Sequence, residues 1–219
     1  MSLPQEPRDD AAADDRRAKL HVSELASIKL GDGMHYRPIR KAMGVSAFGI
    51  NAYTANAGEL VIEPHDEKGV GSGRHEELYV VMTGDAEFEV DGEQIGAAAG
   101  TFVFVRPEQH RVAKALADDT TVLVIGGKPG AAGPPSPFEY WYLATPAYES
   151  GEFERAYAIA AEGLEVHPDN PSLNYNLACY SALAGRRDDA QRHLEIAFAG
   201  NPKTREWAAG DSDLASLDV

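Results

Sequence analysis

The run Arg74-His75-Glu76-Glu77-Leu78-Tyr79-Val80-Val81-Met82-Thr83-Gly84 decides how the rest of the chain is read. It begins with polar side chains able to ligate a metal or carry a proton. It then becomes an apolar, β-branched stretch that stops at a glycine, which predicts a strand. Side chains alternate along a strand, so residues 75, 77, 79 and 81 share one face. His75 and Glu77 therefore stand side by side on whichever face turns inward, either as a buried pair or as part of a site.

Outward from this run, residues 25–125 break into short β-like segments separated by Gly, Asp and Asn. The expected strands are 36–41, 45–54, 59–64, 76–83, 86–90, 93–98, 101–106, 111–116 and 120–125. Asp91-Gly92, set between two alternating runs, is a two-residue hairpin signal because its turn needs positive φ. Many short strands with tight turns and no intervening helix predict a β-sandwich or barrel. Residues 126–137 are rich in Pro and Gly and read as a linker. The expected domains are thus an N-terminal arm at 1–20, polar and either disordered or a frayed helix, a β-barrel at 21–125, the linker, and a helical domain at 138–219.

The helical region repeats. Gly151, Ala156, Ala160 and Pro168 recur 34 residues later as Gly185, Ala190, Leu194 and Pro202. Small residues let two antiparallel helices approach, and a proline closes the second. A period of 34 with this pattern resembles the helix-turn-helix unit of a tetratricopeptide repeat. Residues 203–217, with Trp207, are expected to cap the stack.

The formal net charge of −15 works against nucleic acid and anionic membranes as partners. No apolar run reaches the length of a transmembrane helix, and Met1 to Leu20 lacks the apolar centre of a secretory signal. The lone Cys179 fits a reducing cytoplasm and, inside a repeat helix, is expected to pack as a small hydrophobe.

Glu77, the six residues up to Gly84 and the hairpin 86–93 resemble the first signature motif of the cupins. Gly100-Thr101-Phe102-Val103-Phe104-Val105, followed by Pro107 and His110, resembles their second. The likeness covers residues 35–125. It implies a mainly β plus α chain, a cupin jelly-roll barrel with a site at its mouth followed by the helical repeats. It also implies a homodimer of a bacterial-type protein. Cupin metal sites take two histidines one residue apart, a glutamate, and a distant histidine. Here the paired positions fall on Gly71 and Gly73, and the second motif is one residue short. His65, His75, Glu77 and His110 are the remaining candidate ligands, a set suited to Fe, Mn, Ni, Zn or Cu. Alternatively His65 and His75 hydrogen-bond across the mouth while Glu77 pairs with Arg106 or Arg111. Tyr53 and Tyr79 are candidate pocket-lining residues, and the glycine-rich loop 68–74 a candidate lid. His21, His35, His167 and His193 are expected on the surface or at helix ends.

Three functions compete on this reading. The first is a metal-dependent cupin enzyme acting on a small polar molecule. The second is a non-catalytic sensor that holds a ligand in the barrel. In the third, the repeats recruit a protein or peptide partner or mediate self-association. Convergence of the four candidate ligands favours a metal; if His75 or His110 turns away, a metal-free binding shell is expected.

Overall fold

The computed structural model describes residues 19–31, 33–69 and 73–217. The chain divides into two compact units between Ala131 and Ala132. Most of the arm at 1–20, and residues 70–72 of the loop read as a lid, lie outside the described residues.

The first unit is built from strands in chain order: β1 (Ile28–Leu30), β2 (Met34–Arg37), β3 (Gly49–Ala55), β4 (Leu60–His65), β5 (Glu76–Thr83), β6 (Asp85–Val90), β7 (Glu93–Ala98), β8 (Phe102–Val105), β9 (Arg111–Ala115) and β10 (Thr120–Gly127). One sheet has the order β1-β2-β3-β10-β5-β8 and the other β4-β9-β6-β7. From β3 to β10 the chain passes between four of the six strands of the first sheet and the whole of the second. That order is a jelly roll. Strand alternation supplies the core, where Val61, Tyr79, Val81, Phe88, Val105 and Val122 from both sheets are almost wholly buried. Each contributes about 1.5–3 kcal/mol by leaving water. Asp91 and Gly92 turn the β6–β7 hairpin at φ 50° and 87°.

The strand expected at 36–41 stops at Arg37, and Ile39–Met43 forms a short helix, α1. Pro38 has no N–H for the ladder, and Gly44, at φ 67°, closes the turn.

In the second unit, α2 (Pro137–Glu149), α3 (Phe153–Ala161), α4 (Pro171–Leu183) and α5 (Arg187–Gly200) form two hairpins whose helix starts differ by 34 residues. Gly151 and Gly185 follow α2 and α4 at φ 75° and 78°. Ala144 and Ala147 pack with Ala156, Ala160, Leu173 and Leu177, while Ala178, Cys179 and Ala182 pack with Ala190, Leu194 and Ala197. Small side chains thus occupy the contacts that the repeat pattern requires. After α6 (Lys203–Ala208), a 3-10 turn at Ser212–Leu214 follows, and Ala208, Leu214 and Leu217 close the second cluster. Trp207 remains 47 % exposed, its ring edge-on to Tyr175. His193, expected at the surface, is buried: it shares the inward stripe of Ala190, Leu194 and Ala197, where Asn174 and the Tyr157 hydroxyl satisfy its ring. No helix among the described residues is long and apolar enough to cross a membrane.

Candidate functional site

Four jelly-roll strands bring polar groups to one end of the core. His65 ends β4 and lies opposite Arg111, the first residue of β9. Glu77, near the start of β5, lies opposite Gly126 of β10. A cavity of about 190 Å³ opens here, walled by Leu30, Met34, Ile62 and Val124, with Tyr53, Tyr79, Glu63, His65 and Glu77 as its polar lining.

The focus of the site is Glu77 Oε2. The Tyr79 hydroxyl donates to it, Arg111 Nη2 lies 3.5 Å away, and His65 Nε2 lies 3.6 Å away. Arg111 is fully buried, and its Nε and Nη1 find no hydrogen-bond partner among the described residues. A guanidinium does not give up its proton, so this is a fixed positive charge inside the barrel. Burial pushes the Glu77 carboxyl up, but His65, Tyr79 and Arg111 together outweigh it and hold the group below its ordinary value. The facing Glu77 carboxylate raises His65. Burial, reinforced by the Glu77 charge, keeps the Tyr79 hydroxyl protonated, and burial likewise raises Tyr53.

His65 Nδ1 is 2.6 Å from the Glu63 carbonyl oxygen, which can only accept, so Nδ1 carries a proton. Nε2 is the nitrogen turned to the Glu77 carboxylate, a donor when the ring is charged and an available ligand atom when it is neutral. His65, Glu67 and Glu77 each place one ligand atom within 4.8 Å of the others. A histidine whose second nitrogen donates to a backbone carbonyl is in the usual arrangement of a metal ligand. Ligand atoms sharing one tetrahedral ion are spaced by about 3.4 Å, near the His65–Glu77 separation. One imidazole and two carboxylates therefore fit a transition-metal ion.

Of the four ligands read from the sequence, the structure brings His65 and Glu77 together. His75 and His110 stand outside the cluster. The His75 ring lies against Gly73, on the loop that leads into β5. His110 is exposed, with its backbone N–H bonded to the Asp91 carboxylate, and precedes a strand whose buried positions are 111, 113 and 115. Alternation turns Arg111 inward where the resemblance implies a histidine. Glu67, which completes the cluster, was not among the candidates because it lies in an irregular loop with no strand parity to flag it. Tyr53 and Tyr79 both line the cavity. Arg111, one of two residues considered as partners for Glu77, occupies that place; Arg106 contributes its carbonyl, which accepts from Arg111 Nη2 at 3.4 Å.

No family model and no curated protein matches the chain. Solved structures match its β half. KdgF from a Halomonas species is 18 % identical, with 48 % of this chain and 86 % of that one covered and a TM-score of 0.41. A predicted oxalate decarboxylase from Thermotoga maritima gives 14 %, 49 %, 96 % and 0.42. A cupin protein from Bacteroides fragilis gives 22 %, 51 %, 91 % and 0.36. At such identities these likenesses assign no activity. The strand order by itself identifies the N-terminal half as an antiparallel jelly-roll sandwich, followed by a helical domain.

Proposed function

We propose that the chain is a cupin-type binding protein whose barrel holds a small molecule beside one divalent transition-metal ion. Its helical unit is a short tetratricopeptide-like module that binds a protein partner. The observation that carries the metal reading is the cluster itself: His65, Glu67 and Glu77 each bring one ligand atom within 4.8 Å of the others, and the second ring nitrogen of His65 is bonded to the Glu63 carbonyl. A metal held there would supply Lewis-acid polarisation to an oxygen of the small molecule, the chemistry of a metal-dependent enzyme. His65, Tyr79 and Arg111 together keep Glu77 ionised, Tyr79 orients it, and the apolar wall excludes water from the ligand's body.

A metal-free sensor is the second reading. It is favoured by His75 and His110 standing outside the cluster, the arrangement for which the sequence led to the expectation of a metal-free shell, and by Arg111, which already places a positive charge 3.5 Å from Glu77. Titrating chelator-treated protein with Mn, Fe, Ni, Cu and Zn separates the two. The metal reading expects a rise in melting temperature that His65→Ala and Glu67→Ala abolish. No metal-induced shift, with stabilisation by metabolites alone, overturns it in favour of the sensor.

Self-association is proposed for the outer face of the first sheet. Paired positions there line up Phe102 with Val80 and Leu123, and Phe104 with Leu78 and Ile125. Phe102 and Phe104 are 67 % and 54 % exposed, and β8 is a sheet edge. Light scattering should find a dimer that Phe102→Glu converts to monomer; a monomeric wild type refutes this.

A further inference from the structure

The helical unit contains a second cavity, about 430 Å³, lined by α2, α4 and the turn around Asp211 and Asp213. Its wall is aromatic, with Trp141, Tyr142, Tyr148 and Tyr175, and every charged residue that lines it is acidic. Trp141 and Tyr142 stack with ring centroids 5.5 Å apart, and Tyr142 is 65 % exposed.

The two aspartates are held in place. Tyr148 and Tyr175 donate their hydroxyls to Asp213 Oδ2 and Asp211 Oδ2, each at 2.8 Å, and the Asp213 N–H bonds Asp211 Oδ1 at 3.0 Å. Neither aspartate forms an ion pair with Lys, Arg or His among the described residues. Both approach Cys179, with one ligand atom of each of the three within 4.8 Å of the others. Metal binding by this trio would need a thiolate. Burial, with the Asp211 charge next, pushes the Cys179 thiol up and keeps it protonated. Two fixed carboxylates in an aromatic-walled cavity call instead for an organic cation, which both elements attract.

We propose that this cavity receives a lysine or arginine side chain from a basic segment of a partner protein. The ammonium or guanidinium sits against Asp211 and Asp213, and its methylene stem packs between Trp141, Tyr142 and Tyr175. Charge complementarity names the occupant, because the lining carries negative charge and no positive charge. The inference rests on reading the helical unit as a partner-binding module and adds the chemistry of the partner.

The test is a tryptophan-fluorescence titration of the full chain with three capped pentapeptides, each four alanines around a central lysine, norleucine or glutamate. Trp141 lines the cavity and reports occupancy. The lysine peptide should bind at least about ten-fold more tightly than the norleucine peptide, and the glutamate peptide should not bind. Asp211→Asn and Asp213→Asn should each weaken lysine binding by about ten-fold. The exposed Tyr142→Ala should weaken it by about three-fold with unchanged helix content. Equal binding of the three peptides would keep a peptide groove but overturn its preference for a cation. Binding of none would overturn both. Saturable binding of Zn²⁺ or Ca²⁺, with loss of the response in the aspartate variants, would overturn it in favour of a metal.

Discussion

Replacing Glu77 with glutamine tests the charge balance of the barrel mouth. The substitution keeps shape and still accepts the Tyr79 hydroxyl, but it removes the negative charge facing Arg111. Two unit charges 3.5 Å apart attract by about 5 kcal/mol at an effective dielectric of 20. Much of that offsets the desolvation of both ions. The loss on deleting one partner is nevertheless large, about 3–5 kcal/mol, because the other charge stays buried. The Glu77 side chain keeps 13 % exposure and Arg111 keeps its bond to the Arg106 carbonyl, so the lower end applies, about 3 kcal/mol. Both tryptophans, Trp141 and Trp207, lie in the helical unit. In urea, amide exchange of the barrel strands in metal-free protein should therefore show the loss, and the tryptophan transition should stay unchanged. Adding Arg111→Met to Glu77→Gln should restore most of the loss. The reasoning is refuted if Glu77→Gln stays within about 0.5 kcal/mol of wild type, the range of an ordinary surface substitution. It is also refuted if the double variant is no better than the single.

Gly84→Ala should lower barrel stability by about 2–4 kcal/mol, combining left-handed strain with overpacking. Gly84 sits at φ 73°, and an added Cβ would lie 2.9 Å from Thr120 Cα. A change under about 1 kcal/mol in urea unfolding would contradict this, being less than the strain of a left-handed alanine. For pH, folding raises the His65 pKa, so the protonated form is the one the fold favours. Its contribution is complete below the unfolded value of about 6.5 and is lost as pH rises through the folded value. Chelator-treated protein should therefore lose a stability increment as pH rises above about 6.5 that His65→Gln lacks; identical profiles would count against the His65–Glu77 pairing.

Much of this architecture was legible in the sequence, and the exceptions have physical causes. Gly84, and the Asp91-Gly92 turn, were readable because positive φ leaves few residue choices. The 34-residue offset was readable because small residues must recur where helices touch. The site was harder, since its candidate ligands come from loops and strand ends where periodicity stops. Glu67 stands in such a loop and carried no signal. Arg111 and His110 differed by one position, and strand parity held the answer: Lys114 faces water, so 111, 113 and 115 turn inward and His110 does not. His193 was likewise readable from its helical stripe with Ala190, Leu194 and Ala197, had its ring been weighed as a satisfied core group. Gly71 and Gly73 stand where the resemblance implies paired histidines, so of His65, Glu67 and Glu77 only Glu77 falls on a motif position.

The central claim is that His65, Glu67 and Glu77 hold a metal ion, and elemental analysis of the purified protein tests it most directly. The account predicts about one transition-metal ion per chain, as the three-ligand cluster implies. That ion should be lost in His65→Ala, Glu67→Ala and Glu77→Ala but kept in His75→Ala and His110→Ala. Protein with no stoichiometric metal that takes up none when Fe, Mn, Ni, Cu or Zn is added would contradict it, as would a metal that depends on His75 or His110.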